Sequence, residues 1–247
     1  MDCDHVNASA AVPDNDDMAN DTPKDHGFVY RIMDFNRVVE IFERKELYFA
    51  HPSTWEDPYE KFIQHPRSHA LFAQCWTRAF SSDAMWRIYS PHGLGVRIST
   101  TEQKLNDAGR AFAKKQNFKW RSKDVGYYNF EDFKAKTQGL AADLKTRFTV
   151  ARAADALYMK RDAFEHEREW RATIYCPAAK EQKKGIALPV DPHTLIRNIL
   201  LDPRAPKELV DAFTHYFKDK LGFKGLIKRS GLYASPKPIE IVDPGEL

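Results

Sequence analysis

Phe164-Glu165-His166-Glu167-Arg168-Glu169-Trp170-Arg171-Ala172-Thr173-Ile174-Tyr175 ends in strong strand formers and carries its charges at its front, so it reads as a buried strand with a polar mouth. Side chains alternate faces along a strand. Glu167, Glu169 and Arg171 are therefore expected on one face if the strand begins early enough.

What flanks this strand sets the fold class. Upstream, the pattern predicts a long helical stretch from Glu131 to about Met159, a strand around Lys123 to Tyr128, and a helix from Thr101 to about Lys115. Downstream come strands at Ile186 to Val190 and Leu195 to Leu201, an amphipathic helix from Pro206 to Lys220, and a last strand at Gly225 to Lys228. The N-terminal part opens with a strand at Phe28 to Ile32. A helix follows with Val38, Val39, Ile41 and Phe42 at helical spacing and Asp34 as N-cap, then a strand at Glu46 to Ala50. After the turn-forming residues 51 to 58, a strand at Ala73 to Thr77, a short helix capped by Ser82 or Asp83, and a strand at Leu94 to Ile98 complete the series. Strands gather at the two ends and helices in the middle, without regular β-α alternation or a repeat. The expectation is α+β, with a mixed or antiparallel central sheet and helices.

Residues 1 to 26 carry seven Asp and one Lys and almost no large apolar side chains, so they are expected to form a disordered acidic leader. Residues 27 to 247 are expected to form one α+β domain, since 247 residues with 43% hydrophobic content can build a single large core. The leader's charge of −6 leaves the body at +9 within a chain of +3. A basic body suits phosphate-bearing partners, although its Lys and Arg are scattered as on an ordinary solvated surface.

The apolar runs are too short for a membrane helix, and the N-terminus lacks the basic and apolar regions of a secretory signal. Cys3, Cys75 and Cys176 form neither a disulfide framework nor a metal spacing. Together these features predict a cytoplasmic protein. His65 and His69 stand four apart, but Pro66 between them argues against a zinc-binding helix, and no metal is expected. Phosphate-binding glycine loops and the nucleophile-elbow motif are absent.

Two features carry chemistry. Glu167 and Glu169 are paired carboxylates that can divide labour between stabilising a cation and accepting a proton; their bland alternative is ion pairing with Arg168 and Arg171. Tyr30 beside Arg31, Trp55 beside Glu56 and Asp57, and Trp170 between Glu169 and Arg171 have the composition of a polar cleft, with core packing the alternative for each ring.

Three motifs in order resemble the bacterial family known as domain of unknown function 2971. They are Leu47-Tyr48-Phe49-Ala50-His51-Pro52 leading to Trp55-Glu56-Asp57-Pro58-Tyr59-Glu60; Met85-Trp86-Arg87-Ile88-Tyr89 leading to His92-Gly93-Leu94-Gly95-Val96; and Lys160, Phe164, then Glu167-Arg168-Glu169-Trp170-Arg171. Trp55-Glu56 stands here where that family has Phe-Asn.

The opening, Tyr30-Arg31 on a strand and Lys45-Glu46-Leu47-Tyr48 on the next, is also similar to the start of ADP-ribosyltransferases. That resemblance implies NAD as substrate, with nucleic acid or protein as acceptor, in a toxin or phage-defence effector. It implies Glu169 as the carboxylate that stabilises the oxocarbenium-like ribose, Glu167 as the group that orients or deprotonates the acceptor, and Arg31 on the pyrophosphate. Tyr48 would stack on nicotinamide, and Tyr30 and Arg171 would complete the NAD-binding set. The Ser-Thr-Ser of the arginine-type transferases and the first-strand His of the other main branch are missing. Two rivals remain: a non-catalytic module in a defence system that binds a nucleotide or nucleic acid, and a metal-dependent nuclease using Asp57, Glu60, Glu167 and Glu169.

Overall fold

The computed structural model describes residues 27–179 and 183–239. The expected leader lies outside the described residues. The elements run β1 (Phe28–Asp34), α1 (Phe35–Arg44), β2 (Glu46–Ala50), β3 (Leu71–Thr77), α2 (Asp83–Tyr89), β4 (Gly95–Thr101), α3 (Glu102–Gln116), β5 (Lys119–Asp124), β6 (Gly126–Tyr128) and α4 (Phe130–Thr146). There follow α5 (Val150–Ala153), β7 (Met159–Arg161), β8 (Glu169–Tyr175), β9 (Gly185–Pro189), α6 (Pro192–Leu195), β10 (Asn198–Leu201), α7 (Lys207–His215) and β11 (Leu226–Arg229). The α+β expectation holds.

Nine strands form one mostly antiparallel sheet, in which β10 and β11 alone run parallel, and β6 pairs with β7 apart from it. Its spine is β11-β10-β4-β1-β3-β2-β9, with β8 paired to β3 and β5 to β8. The register exposes a weak seam. Strands β3 and β8 pair along their whole length, from Leu71↔Tyr175 to Thr77↔Glu169, whereas β1 touches β3 through the single pair Tyr30↔Thr77. β2 likewise meets β3 only at Ala50↔Ala73. The block β11-β10-β4-β1 therefore splays away from β3-β8-β5, and a cleft opens where ladder hydrogen bonds stop.

One face of β3 and β8 carries Phe72, Trp76, Trp170, Ala172 and Ile174, which pack with Val29, Ile98, Phe42 and Phe217 into the main core. Fully burying a side chain of this size stabilises by roughly 1.5–3 kcal/mol, so this face holds the sheet blocks together. The other face begins with apolar Leu71 and Ala73 and turns polar towards the seam at Cys75, Thr77, Glu169 and Arg171. Helix α3 lies close on β5 because Gly109 faces Trp120; a Cβ there would sit 2.3 Å from the indole ring.

Several boundaries depart from the sequence pattern for local reasons. The expected helix from Glu131 to Met159 stops at Thr146, because Arg147 is extended and Thr149 Oγ1 caps a new turn by accepting from Arg152 N. The strand expected around 123 to 128 is two, β5 and β6, separated at Val125. The strand expected from Leu195 begins at Asn198, after the turn α6, which is capped by Asp191. Asp34 does occupy the N-cap of α1 but makes no side-chain capping bond, whereas Ser82 Oγ accepts from Met85 N at α2. No helix among the described residues is long and apolar enough to cross a membrane.

Candidate active site

The seam between β1 and β3 opens into a cleft of about 470 Å³, within the size range of small-molecule sites. Strand β8 supplies Glu169 at its first residue and Arg171 two residues on, so alternation turns both to the same face. Glu167 does not share the strand. Arg168 adopts a left-handed conformation (φ 42°), which ends the 3-10 turn Asp162–Glu167 and prevents β8 from starting earlier. Glu167 nonetheless reaches the cleft from that turn, its carbonyl held by Thr77 Oγ1 at 2.5 Å.

These carboxylates meet two buried cations. Arg171, with no exposed side-chain surface, donates through Nε to Glu169 Oε1 at 2.5 Å and through Nη2 to Glu169 Oε2 at 2.7 Å and Glu60 Oε1 at 2.5 Å. Its Nη1 donates to Leu157 O at 2.6 Å, and its guanidinium lies 4.4 Å from the Trp55 ring centroid. Lys160 Nζ, on β7, donates to Glu167 Oε2 at 2.5 Å and stands 3.5 Å from Glu169 Oε2 and 4.0 Å from Glu60 Oε2. Tyr89 Oη donates to Glu167 Oε1 at 3.1 Å, and Tyr127 Oη accepts from Glu169 N at 2.7 Å. Three carboxylate side chains thus gather around two cationic ones.

The electrostatics keep Glu169 charged. Burial works to raise its pKa, but the adjacent Arg171 and Lys160 outweigh burial and carry it below the ordinary 4.5. Burial likewise works against the Lys160 ammonium, and Glu169, Glu60 and Glu167 overcome it and hold its pKa above the usual value. Cys75 lines the same cleft as a poor nucleophile, since burial and the nearby Glu169 charge push its thiol far up.

The lowered Glu169 value has a consequence for acid stability. Its contribution is complete above the unfolded value and is lost as the pH falls below 4.5 through the folded value. Urea unfolding of wild type and Glu169→Gln should show the smaller acid-induced loss of stability in the variant, which lacks the titrating group; parallel pH profiles would contradict this.

Arg31, on β1, stands apart from the cluster. It lines the cleft and, among the described residues, donates no hydrogen bond and joins no ion pair. Burial lowers its pKa, partly offset through space by Cys75, Tyr89 and Glu169. Its half-buried guanidinium is thus a cation of the cleft that Glu169 meets only through space.

Of the residues singled out in the sequence, Glu169, Glu167, Arg31, Tyr30 and Arg171 line this one cleft, and Tyr48 does not. Alternation along β2 sends Leu47 and Phe49 into the core and leaves Tyr48 51% exposed, its ring over β9, where a Cβ on Gly185 would meet it at 2.2 Å. The aromatic walls near the carboxylates are Trp55, Tyr89 and Phe164 instead. The sequence assigns Lys160 no role and Glu60 one only as a metal ligand, whereas Lys160 stands beside Glu167 and Glu169 and Glu60 accepts from Arg171; the signal for Lys160 is its place seven residues ahead of Glu167 in the third motif. Asp57, the fourth carboxylate of the nuclease reading, pairs with Arg161 at 3.2 Å, while the Lys160 ammonium stands among the other three. Among the described residues no three His, Cys, Asp or Glu side chains are grouped to hold a metal ion.

Fold and site define an α+β protein with a buried, carboxylate-bearing cleft at a break in its central sheet. Residues 85–172 match the model of the family described as "Protein of unknown function (DUF2971)", a span that runs from α2 through the Glu167 and Glu169 segment. Among solved structures, the chain is similar to Thermus sp. 2.9 DarT in complex with NAD+, at 13% identity and a TM-score of 0.39 over 85% of this chain and 98% of that one. The same protein in complex with ADP-ribosylated ssDNA gives 11% identity and a TM-score of 0.40 over 83% and 94%. No curated protein matches the sequence.

Proposed function

We propose that the protein is an ADP-ribosyltransferase that takes NAD as substrate and transfers its ADP-ribose to an acceptor. The observation that supports this is the presence, in one cleft, of an ionised buried carboxylate, Glu169, and of a cation, Arg31, that among the described residues makes no hydrogen bond or ion pair and meets Glu169 only through space.

The two charges suit the two ends of the reaction. The bond between nicotinamide and ribose breaks with its electron pair leaving on nicotinamide, and positive charge develops on the ribose. A fixed carboxylate in a low-dielectric cleft stabilises that charge. Arg31 provides a fork of donors for the pyrophosphate. An acceptor oxygen or nitrogen then bonds to the ribose carbon and gives up its proton to Glu167, whose carboxylate accepts from Tyr89 and Lys160 in the absence of an acceptor. The products are nicotinamide, the ADP-ribosylated acceptor and one proton. The acceptor is nucleic acid or protein, in a toxin or phage-defence role; the +9 body is compatible with a phosphate-bearing acceptor without singling one out.

A second reading is a nucleotide-binding module without catalysis. It is favoured by the way Arg171 engages both oxygens of Glu169.

Nicotinamide release from NAD by the purified protein, with added RNA, DNA or lysate, tests the proposal, with Arg31→Gln as the comparison. NAD affinity should fall by about tenfold or more in the variant, as expected for a lost hydrogen bond to a charged group. Binding without release in any mixture would favour the module. Neither binding nor release would end both readings.

A further inference from the structure

A second cavity, of about 460 Å³, lies on the same face of the sheet as the cleft. Lys123 on β5 pairs directly with Arg171 on β8, so the two side chains leave the sheet on one side. The 3-10 turn Ala154–Tyr158 and strand β7 cover that side, tied down by Tyr158 Oη donating to Thr173 Oγ1 at 2.8 Å. Strand β7 is the partition: Lys160 faces the cleft and Met159 the second cavity.

The charges in this groove are unevenly matched. Its two carboxylates, Asp143 and Asp155, are both engaged by Arg152, at 2.5 and 2.9 Å, and Asp155 also by Arg121 at 2.6 Å. Two ammonium groups remain. Among the described residues neither Lys123 nor Lys136 has a carboxylate partner; instead Lys123 Nζ lies 4.6 Å from the centroid of Tyr158 and Lys136 Nζ 4.7 Å from that of Tyr128. A ring face holds an ammonium in place without neutralising it. On the α4 side, Gly139 leaves the wall low, since a Cβ there would meet nothing within 4 Å.

We propose that this groove is a second ligand site, for a phosphate-bearing anion held between Lys123 and Lys136 with the tyrosine rings as walls. Two uncancelled cations in one concave space call for a ligand with more than one negative charge, which a pyrophosphate or a nucleoside diphosphate supplies. The assignment stands independently of NAD chemistry in the cleft.

Calorimetric titration with inorganic pyrophosphate and with ADP tests it, using Arg31→Gln protein so that the cleft cation outside the Glu169 ion-pair cluster does not contribute. Both lysines are exposed, so Lys123→Gln and Lys136→Gln should leave the urea midpoint unchanged. Each substitution should weaken binding by roughly fivefold, and the pair by more. Equal binding of the two probes would assign recognition to phosphate alone, and preference for ADP would add the base. No saturable binding of either probe at millimolar concentration, or affinity unchanged in the double variant, would overturn the site.

Discussion

Glu169→Gln is expected to lower nicotinamide release from NAD by about 10²- to 10³-fold, the usual cost of removing one preorganised group from the charge that develops in a transition state. Glutamine preserves the size of the side chain and one acceptor oxygen for Arg171, and Glu60 still accepts from Arg171 Nη2, so the cleft should keep its shape. What disappears is the negative charge that Arg171 and Lys160 hold in its ionised form. Because that charge acts mainly once the ribose has become cationic, the loss should fall on kcat with KM little changed. Wild-type turnover in the variant would remove Glu169 from the chemistry. A rise in KM alone would make it a binding group of the ground state.

Part of this site could be read from the chain. Glu169 and Arg171 are two apart in a run of strand formers, and period-two alternation is enough to put them on one face. Glu167 breaks that logic because a single residue, Arg168, takes a left-handed turn that strand propensity does not signal, and Glu167 arrives from a 3-10 turn. Tyr48 lies outside the cleft for a related reason: alternation says that it opposes Leu47 and Phe49, but not which surroundings wait on its side of the sheet. The buried partners were less visible still. Glu60 stands 111 residues from Arg171, and their contact exists only because the 3-10 turn Pro58–Lys61 folds over β8.

The fold shows the same division. The lack of β-α alternation was sufficient for α+β, and most elements lie close to where periodicity put them. The seam that makes the cleft has no local signature. It lies where the pairing of β1 with β3 is limited to a single cross-pair, Tyr30↔Thr77, a limit that neither strand's composition marks. Position along the chain thus located the segment that carries Glu167, Glu169 and Arg171, whereas tertiary pairing decided which cations surround it.

That pairing makes the site costly to maintain, and Arg171→Met should reveal the cost. Methionine fills much of the arginine volume against Trp55 but leaves Glu169 and Glu60 with Lys160 as their remaining cation. Removing one partner from a buried ion network typically destabilises by about 3–5 kcal/mol, a large share of the ~5–15 kcal/mol that holds a domain folded. Urea unfolding should therefore show a much lower midpoint for the variant. Adding Glu169→Gln to it should cost less than the sum of the two single changes, because the second substitution removes a carboxylate that the first had stranded. Simple additivity would mean that the two groups do not depend on one another. The cycle also separates the structural part of Glu169 from its proposed catalytic one, since coupling to Arg171 would appear in stability and an effect on nicotinamide release in kcat.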